Sequence, residues 1–301
     1  SNAIAEKRLD LAEEANNLAE KVLTATGVKV KASDRAGADK GSAATEYLIF
    51  IANREVEQLA DIAIAAFDEG KDPSKLKKEV AAVFHGKQAI DIACFGRMLA
   101  DAPDLNTDAS AQVAHAFSID QITPEYDYFT AVDDCASDDN AGAAMIDTVG
   151  FNSSTLYRYA TLNVDALRDQ LQDADAMVEG VSAFVEAFVK SMPSGKQNTF
   201  ANHTLPEDIV IVLRDSQPIS AADAFENPIK RKDGISVSRQ GIERLGDRLN
   251  EIRINYGEEP VKAWHVVSGG SVPSLDEWSE QVTLPELEQS LRETLSAAYS
   301  A

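Results

Sequence analysis

Apolar residues recur along this chain first with the period of a helix and later with the period of a strand. Over residues 4–26, Leu11, Ala15, Leu18 and Val22 share one helical face, with Ala12, Ala19 and Leu23 beside them, and Gly27 supplies a stop. The next stretch, "KVKASDRAGADKGSA", is small, polar and glycine-interrupted, as surface loops are. The spacing then predicts a long helix over 45–68. Asp72 and Pro73 place a cap and an N1 proline before "SKLKKEVAAVF", which His85 and Gly86 end. "QAIDIACFGRML" and "ASAQVAHAF" read as two short helices around the loop "ADAPDLNTD", so residues 4–118 are expected to be mostly helical.

From residue 119 the character changes. Residues 119–150 hold eight acids and no lysine or arginine. Within them "YDYFTAV" alternates in strand-favouring residues and "SDDNAG" supplies a turn, which predicts a long hairpin. "STLYRYATLNV" reads as a strand with Leu156, Ala160, Leu162 and Val164 on one face and Tyr157, Tyr159 and Thr161 on the other. An amphipathic helix over 165–192 stops at Pro193 and Gly195, and "DIVIVLRD" follows as a buried strand. Ile242, Leu245, Leu249 and Ile252 mark a helix ending near Gly257, and "VKAWHVV" is a strand. Thr283 with Glu286 forms a capping box for a last helix carrying Leu287, Leu291 and Leu295. This alternation is the order of an α+β layer, with helices on one face of a sheet as in ferredoxin-like folds.

Charge narrows the function. Fifty acids against 28 bases leave a net charge of -22, so no global positive field draws in nucleic acid and any polyanion contact must be local. Cys94 and Cys135 lie far apart and fit neither a disulfide framework nor a zinc cluster, which points to free thiols in a reducing compartment. No apolar run approaches the ~18 residues of a membrane span and no signal peptide is visible, so a cytoplasmic location is expected. Ser1-Asn2-Ala3 reads as an expression scar.

Candidate chemistry is sparse. His85, His115, His203 and His265 lack metal-ligand spacing, and no phosphate-binding loop, nucleophile elbow or dinucleotide fingerprint occurs, so no enzyme and no cofactor is expected. Asp133, Asp134, Asp138 and Asp139 form either a solvated acidic turn or a Mg²⁺ site, the latter leaving a metal-dependent nuclease using Asp133 and Asp134 as the alternative. Lys196, Gln197, Asn198 and Thr199 occupy a glycine-containing loop able to reach a phosphate, or an ordinary turn. Lys230, Arg231 and Lys232 are the densest basic segment. Tyr157 and Tyr159 either stack bases or pack under a neighbouring element.

Taken in order, "GRML", "QVAHAFS", "YDYFTAVDD", "FNSSTLYRYA", "PSGKQNTFA" and "AFENPIKRKDG" resemble the CasC family, the repeated backbone subunit of the type I-E CRISPR Cascade complex. The resemblance implies an RRM-like palm from 151 to 301, an inserted helical fingers domain at 4–118 and a β-hairpin thumb at 119–150. It implies a non-catalytic subunit that polymerises with other copies of itself along CRISPR RNA, beside other Cascade subunits and target DNA, with each thumb displacing a base at regular intervals. Tyr128, Phe129, Thr130 and Val132 match the thumb positions beside the displaced base. Met98, next to Arg97, matches the residue packing from the other side. Lys196 to Thr199 match a loop near the guide backbone, and Lys230, Arg231 and Lys232 a basic edge for DNA. The family's opening palm strand and its Ser-Ser-Gln-x-x-Lys-Arg helix have no counterpart here, so the palm is expected to lack its first strand and helix, and RNA binding to be weak.

Overall fold

The computed structural model describes residues 1–32, 43–132 and 143–299. Its helices in chain order are α1 (Asn2–Lys7), α2 (Ala15–Ala25), α3 (Asn53–Asp68), α4 (Lys77–Phe84), α5 (Ile90–Phe95), α6 (Val164–Leu171), α7 (Ala174–Lys190), α8 (Gln197–Phe200), α9 (Val237–Tyr256), α10 (Pro273–Asp276) and α11 (Leu284–Tyr299). The strands are β1 (Val30–Ala32), β2 (Ala43–Thr45), β3 (Ala111–Val113), β4 (Phe117–Ser118), β5 (Glu125–Val132), β6 (Ala143–Phe151), β7 (Leu156–Tyr157), β8 (Ala160–Leu162), β9 (Asp208–Leu213), β10 (Lys262–Val267) and β11 (Glu280–Gln281). The fold is mixed α+β. It comprises two compact units: one of Ser1–Gln112, Thr161–Glu186 and the chain from Leu291, the other of Val113–Ala160 and Ala187–Ser290.

The first unit is helical around a core of Ile4, Leu11, Leu18, Val22, Leu59, Ala63, Val80, Phe84 and Leu99. The apolar stripe of residues 4–26 is real but its helix is interrupted at Arg8, whose extended backbone turns the chain between α1 and α2 while its Nη1 donates to both Asp68 oxygens at 3.1 Å. The helix expected from residue 45 begins only at Asn53. Ile49 and Ile51 pack on the core while Leu48 and Phe50 face outward, a period of two that belongs to extended chain. Asp72 accepts from the Ser74 amide as a cap, before a single 3-10 turn and α4. "KVKASDRAGADKGSA" is not wholly a loop, since β1 and β2 pair antiparallel; residues 33–42 between them lie outside the described residues. The 165–192 helix breaks into α6 and α7 at left-handed Gln172, where Asp173 caps α7 through the Ala176 amide.

The largest correction is "ASAQVAHAF", which forms strands β3 and β4 instead of a helix. Its backbone partners come from far along the chain: the Ala114 amide donates to Tyr159, and Phe117 pairs with Tyr157. Such pairing overrides a local apolar period.

The second unit holds a three-stranded sheet in the order β11-β10-β9, with β10 antiparallel to β9 and parallel to β11. Ile242 and Leu249 of α9 pack with Ala221, Val272 and Leu275. Gly241 and Gly246 allow close approach, since an added Cβ would meet Ile119 at 2.5 Å and Ser274 at 2.6 Å. The Thr283–Glu286 capping box forms as expected, Glu286 accepting from the Thr283 amide at 2.8 Å. The expected strand over 154–164 divides into β7 and β8. Tyr157 packs against Phe117 and Phe225, ring centroids 5.4 and 5.3 Å away, rather than presenting a stacking face. No helix among the described residues is long and apolar enough to cross a membrane.

Candidate nucleic-acid interface

Strands β5 and β6 form the expected hairpin, an antiparallel ribbon paired from Glu125↔Phe151 to Val132↔Ala143 with a bulge at Ala131/Val132. Among the described residues this ribbon joins no larger sheet. Most of its side chains are exposed, Tyr126 by 73%, Tyr128 by 63% and Ile146 by 60%, while Phe129 is half-buried. At its root Phe151 meets Phe200 of α8, centroids 5.9 Å apart. That contact ties the ribbon to the segment of Lys196, Gln197, Asn198 and Thr199, where the expected loop is instead the single helical turn α8. Lys196 and Ala201 bracket this turn with left-handed φ of 62° and 48°, an uncommon conformation for residues other than glycine. The Asp133, Asp134, Asp138, Asp139 and Cys135 positions lie outside the described residues, and the Mg²⁺ reading with them.

In the other unit, Met98 is 76% exposed between two deeply buried neighbours, Arg97 and Leu99. The Arg97 guanidinium donates to both Glu55 oxygens at 2.7 and 2.8 Å, reaches the Phe84 carbonyl and lies over the Phe84 ring. Its backbone exchanges two 2.9 Å bonds with Thr107, and the Leu99 amide donates to Asn106 Oδ1. Gly96 makes the turn at φ 76°, where a Cβ would lie 2.8 Å from the Thr107 carbonyl. Met98 therefore projects from a fixed strap. Arg97 itself has no exposed side chain, so its expected meeting with RNA gives way to a supporting position. Sequence reading missed Glu55, because nothing local to α3 marks it as the partner of a residue 42 positions on.

Lys230, Arg231 and Lys232 are exposed beside Ile229, which bridges to Asp120 near the hairpin root, and none forms an ion pair among the described residues. The histidines divide sharply. His85, His115 and His203 are exposed, whereas His265 is sealed in β10 with Nδ1 2.8 Å from Ser279 Oγ and Nε2 3.1 Å from Asp276 Oδ1. Burial lowers its pKa. This Ser-His-Asp series resembles a hydrolase triad only in composition, since Ser279 is itself buried and also bonds the Leu275 carbonyl, leaving no room for substrate. Asp208 at the start of β9 has both oxygens buried without a partner, and burial pushes its pKa up to about 7.

No curated protein sequence matches the chain significantly. Among solved structures, it superposes on a chain of a CRISPR RNA-guided surveillance complex in a pre-nicking state with a TM-score of 0.79 at 27% identity, covering 98% of this chain and 83% of that one. A second CRISPR RNA-guided surveillance complex chain gives 0.61 at 31% identity, over 70% of this chain and 78% of that one. The family profile of the CT1975-like proteins matches residues 1–290, and the resemblance read from the motifs is thereby borne out: the chain belongs to the CT1975-like protein family.

Proposed function

We propose that this chain is a non-enzymatic, RNA-binding subunit of a CRISPR RNA-guided surveillance complex. It polymerises in copies along the guide in the cytoplasm, beside other subunits of the complex, and leaves sequence reading to base pairing with target DNA. On this reading the hairpin is a thumb that displaces guide bases at intervals, residues 4–118 are the fingers, and the sheet of the second unit is the RRM-like palm. Tyr128, Phe129, Thr130 and Val132 carry the wedge, with Met98 packing opposite. Lys196 to Thr199 follow the guide backbone and Lys230, Arg231 and Lys232 meet DNA. Arg97 acts by holding Met98. The observation that supports this most is the projecting ribbon of exposed aromatic side chains on a chain whose fold matches such complexes over 98% of its length. Prising a base from a strand needs flat apolar surface rather than net positive charge.

The test removes the rings together. Full-length protein carrying Tyr128→Ala and Phe129→Ala is co-expressed with CRISPR RNA and the other subunits, and the guide's base exposure is read by chemical probing. Loss of the periodic reactivity and of complete assemblies is expected. Unchanged periodicity sinks the wedge, and guide cleavage by the purified protein with Mg²⁺ sinks the non-enzymatic assignment.

A further inference from the structure

Between the basic segment and α9 the chain makes one exposed turn. Lys232 and Ile235 pair as an isolated antiparallel bridge, the Ile235 amide donating to the Lys232 carbonyl at 3.4 Å, and Asp233 and Gly234 form the tip. Gly234 takes φ 79°, the left-handed value that the second central position of many tight turns requires and that glycine meets without strain. All four residues are exposed, and a Cβ built on Gly234 would meet nothing within 4 Å. Among the described residues the Asp233 carboxylate takes part in no ion pair or hydrogen bond, and the Gly234 amide donates to no acceptor. Asp233-Gly234 is the one Asp-Gly step in the chain, which holds no Asn-Gly step.

We propose that this tip is a site of covalent modification, at which Asp233 converts to a β-aspartyl residue within the native fold. The inference is independent of the RNA-binding reading. In the first step the Gly234 amide nitrogen attacks Cγ of the protonated Asp233 carboxyl. The N–Cγ bond forms, the Cγ–OH bond breaks, and the hydroxyl leaves as water with the amide proton. A second water then opens the five-membered succinimide. Cleavage of the N–Cγ bond restores aspartate. Cleavage of the bond from nitrogen to the main-chain carbonyl carbon of Asp233 leaves the chain running through Cγ, one methylene longer, with a free α-carboxylate.

Three features place the reaction here. The residue after the aspartate must not crowd the forming ring, and Gly234 brings no side chain. The main chain of Asp233 must rotate until the next amide faces its own carboxyl, and only the long 3.4 Å closing bond and no packing resist that. The attacking nitrogen must also be free of other duty, as the Gly234 amide is. Closeness alone does not suffice. The Ile92 and Thr148 amides lie 2.9 and 2.7 Å from the carboxylates of Asp91 and Asp147, but both belong to branched residues within regular structure.

Conversion leaves the charge as it was and changes the path of the chain. Ile235 leads directly into Ser236, whose Oγ accepts from the Arg239 amide and caps α9. The added methylene falls between that fixed cap and Lys230, Arg231 and Lys232, so the Lys232↔Ile235 bridge loses its register and the basic segment loses one of its ties.

The experiment incubates the full-length protein at physiological temperature, native and in guanidinium chloride, and follows β-aspartyl content by peptide mapping. Methyl transfer from S-adenosylmethionine by an isoaspartyl carboxyl methyltransferase gives a second readout. The signal is expected to grow at Asp233 in the native protein at a rate within about tenfold of the unfolded chain, since loop tips open at almost no free-energy cost. It is expected to vanish in Asp233→Glu, which keeps the charge but would need a six-membered ring, and to grow faster in Asp233→Asn, which expels ammonia without prior protonation of a carboxylate. Hydrogen exchange at the Ile235 amide should quicken in the converted protein. Conversion slowed more than about tenfold by folding, or found only at other aspartates, overturns the proposal. A signal that survives Asp233→Glu does the same, and unchanged exchange at Ile235 removes the loss of the tie.

Discussion

Glu55→Ala tests the support of Met98 most directly. Glu55 is buried in α3 and accepts three bonds, two from the Arg97 guanidinium at 2.7 and 2.8 Å and one from the Ala52 amide at 2.9 Å. Deleting the carboxylate leaves the guanidinium buried with only the Phe84 carbonyl and Gln88 Oε1, at 3.3 and 3.4 Å, to receive it. Removing one partner of such a pair costs about 3–5 kcal/mol, about a fifth or more of the ~5–15 kcal/mol that holds a typical domain together. Removing both charges is different. Glu55→Leu with Arg97→Met fills the same space without stranding a charge, and is expected to cost little or nothing. The assay is urea unfolding followed by far-UV circular dichroism, which weighs the helices of the first unit, alongside tryptophan fluorescence. Trp264 and Trp278, the only two tryptophans, both belong to the second unit. With a urea slope of about 1–3 kcal/mol/M, the dichroism midpoint of Glu55→Ala should fall by upwards of about 1 M. A fall worth less than ~1 kcal/mol, or a double variant as damaged as the single, would refute the reasoning.

Gly96→Ala forces a left-handed residue and a Cβ into the Thr107 carbonyl, so a loss of about 1–3 kcal/mol or more is expected in the same unfolding assay, together with faster hydrogen exchange at the Arg97 and Thr107 amides. Asp208 titrates near pH 7 when folded and near 4 when unfolded, so its contribution to stability is complete below about pH 4 and drains away as the pH rises to about 7. Asp208→Asn should abolish that fall and raise the midpoint at about pH 8, by up to about 4 kcal/mol; a variant whose pH profile parallels the parent's contradicts the burial argument. Lys230→Ala with Lys232→Ala should weaken DNA binding alike for all sequences and flatten the slope of log K against log salt by about 1.4–1.8; an unchanged slope removes these lysines from the phosphates.

What the sequence revealed depended on how local each cause was. The hairpin was legible because its alternation and its turn residues lie within one continuous stretch, and the capping box of α11 because Thr283 and Glu286 sit three residues apart. The start of α3 was misplaced because Tyr47 to Ile51 fit a helical window as readily as an extended one, and only the core that receives Ile49 and Ile51 decides between them. "QVAHAF" was misassigned for a non-local reason: its strands exist because residues 157–162 run beside them. The same limit governs the site. Met98 and Arg97 are sequence neighbours with opposite fates, one projecting and the other sealed against a carboxylate on another helix, and no pattern within "GRML" separates them.

The net charge of -22 does not by itself decide whether this chain can meet a polyanion, because it says nothing of where the charges lie. In the second unit, Arg214, Arg239, Arg248 and Arg253 are bound to Glu258, Glu243, Asp223 and Glu259, Arg244 is held by the Asn227 carbonyl, and Arg158 lies over Phe188. The first four, paired with carboxylates, add little to the field beyond the surface. Among the described residues of that unit, Lys196, Lys230, Arg231 and Lys232 remain exposed and without an ionic partner. They lie in two segments, one joined to the ribbon's root through Phe200 and the other beside Ile229, which bonds the Ile119 carbonyl just ahead of the ribbon. The exposed cations of this unit that lack an ionic partner thus flank the base of its aromatic arm. On the proposed reading it is this local charge, and not the sum over the chain, that sets how a polyanion approaches.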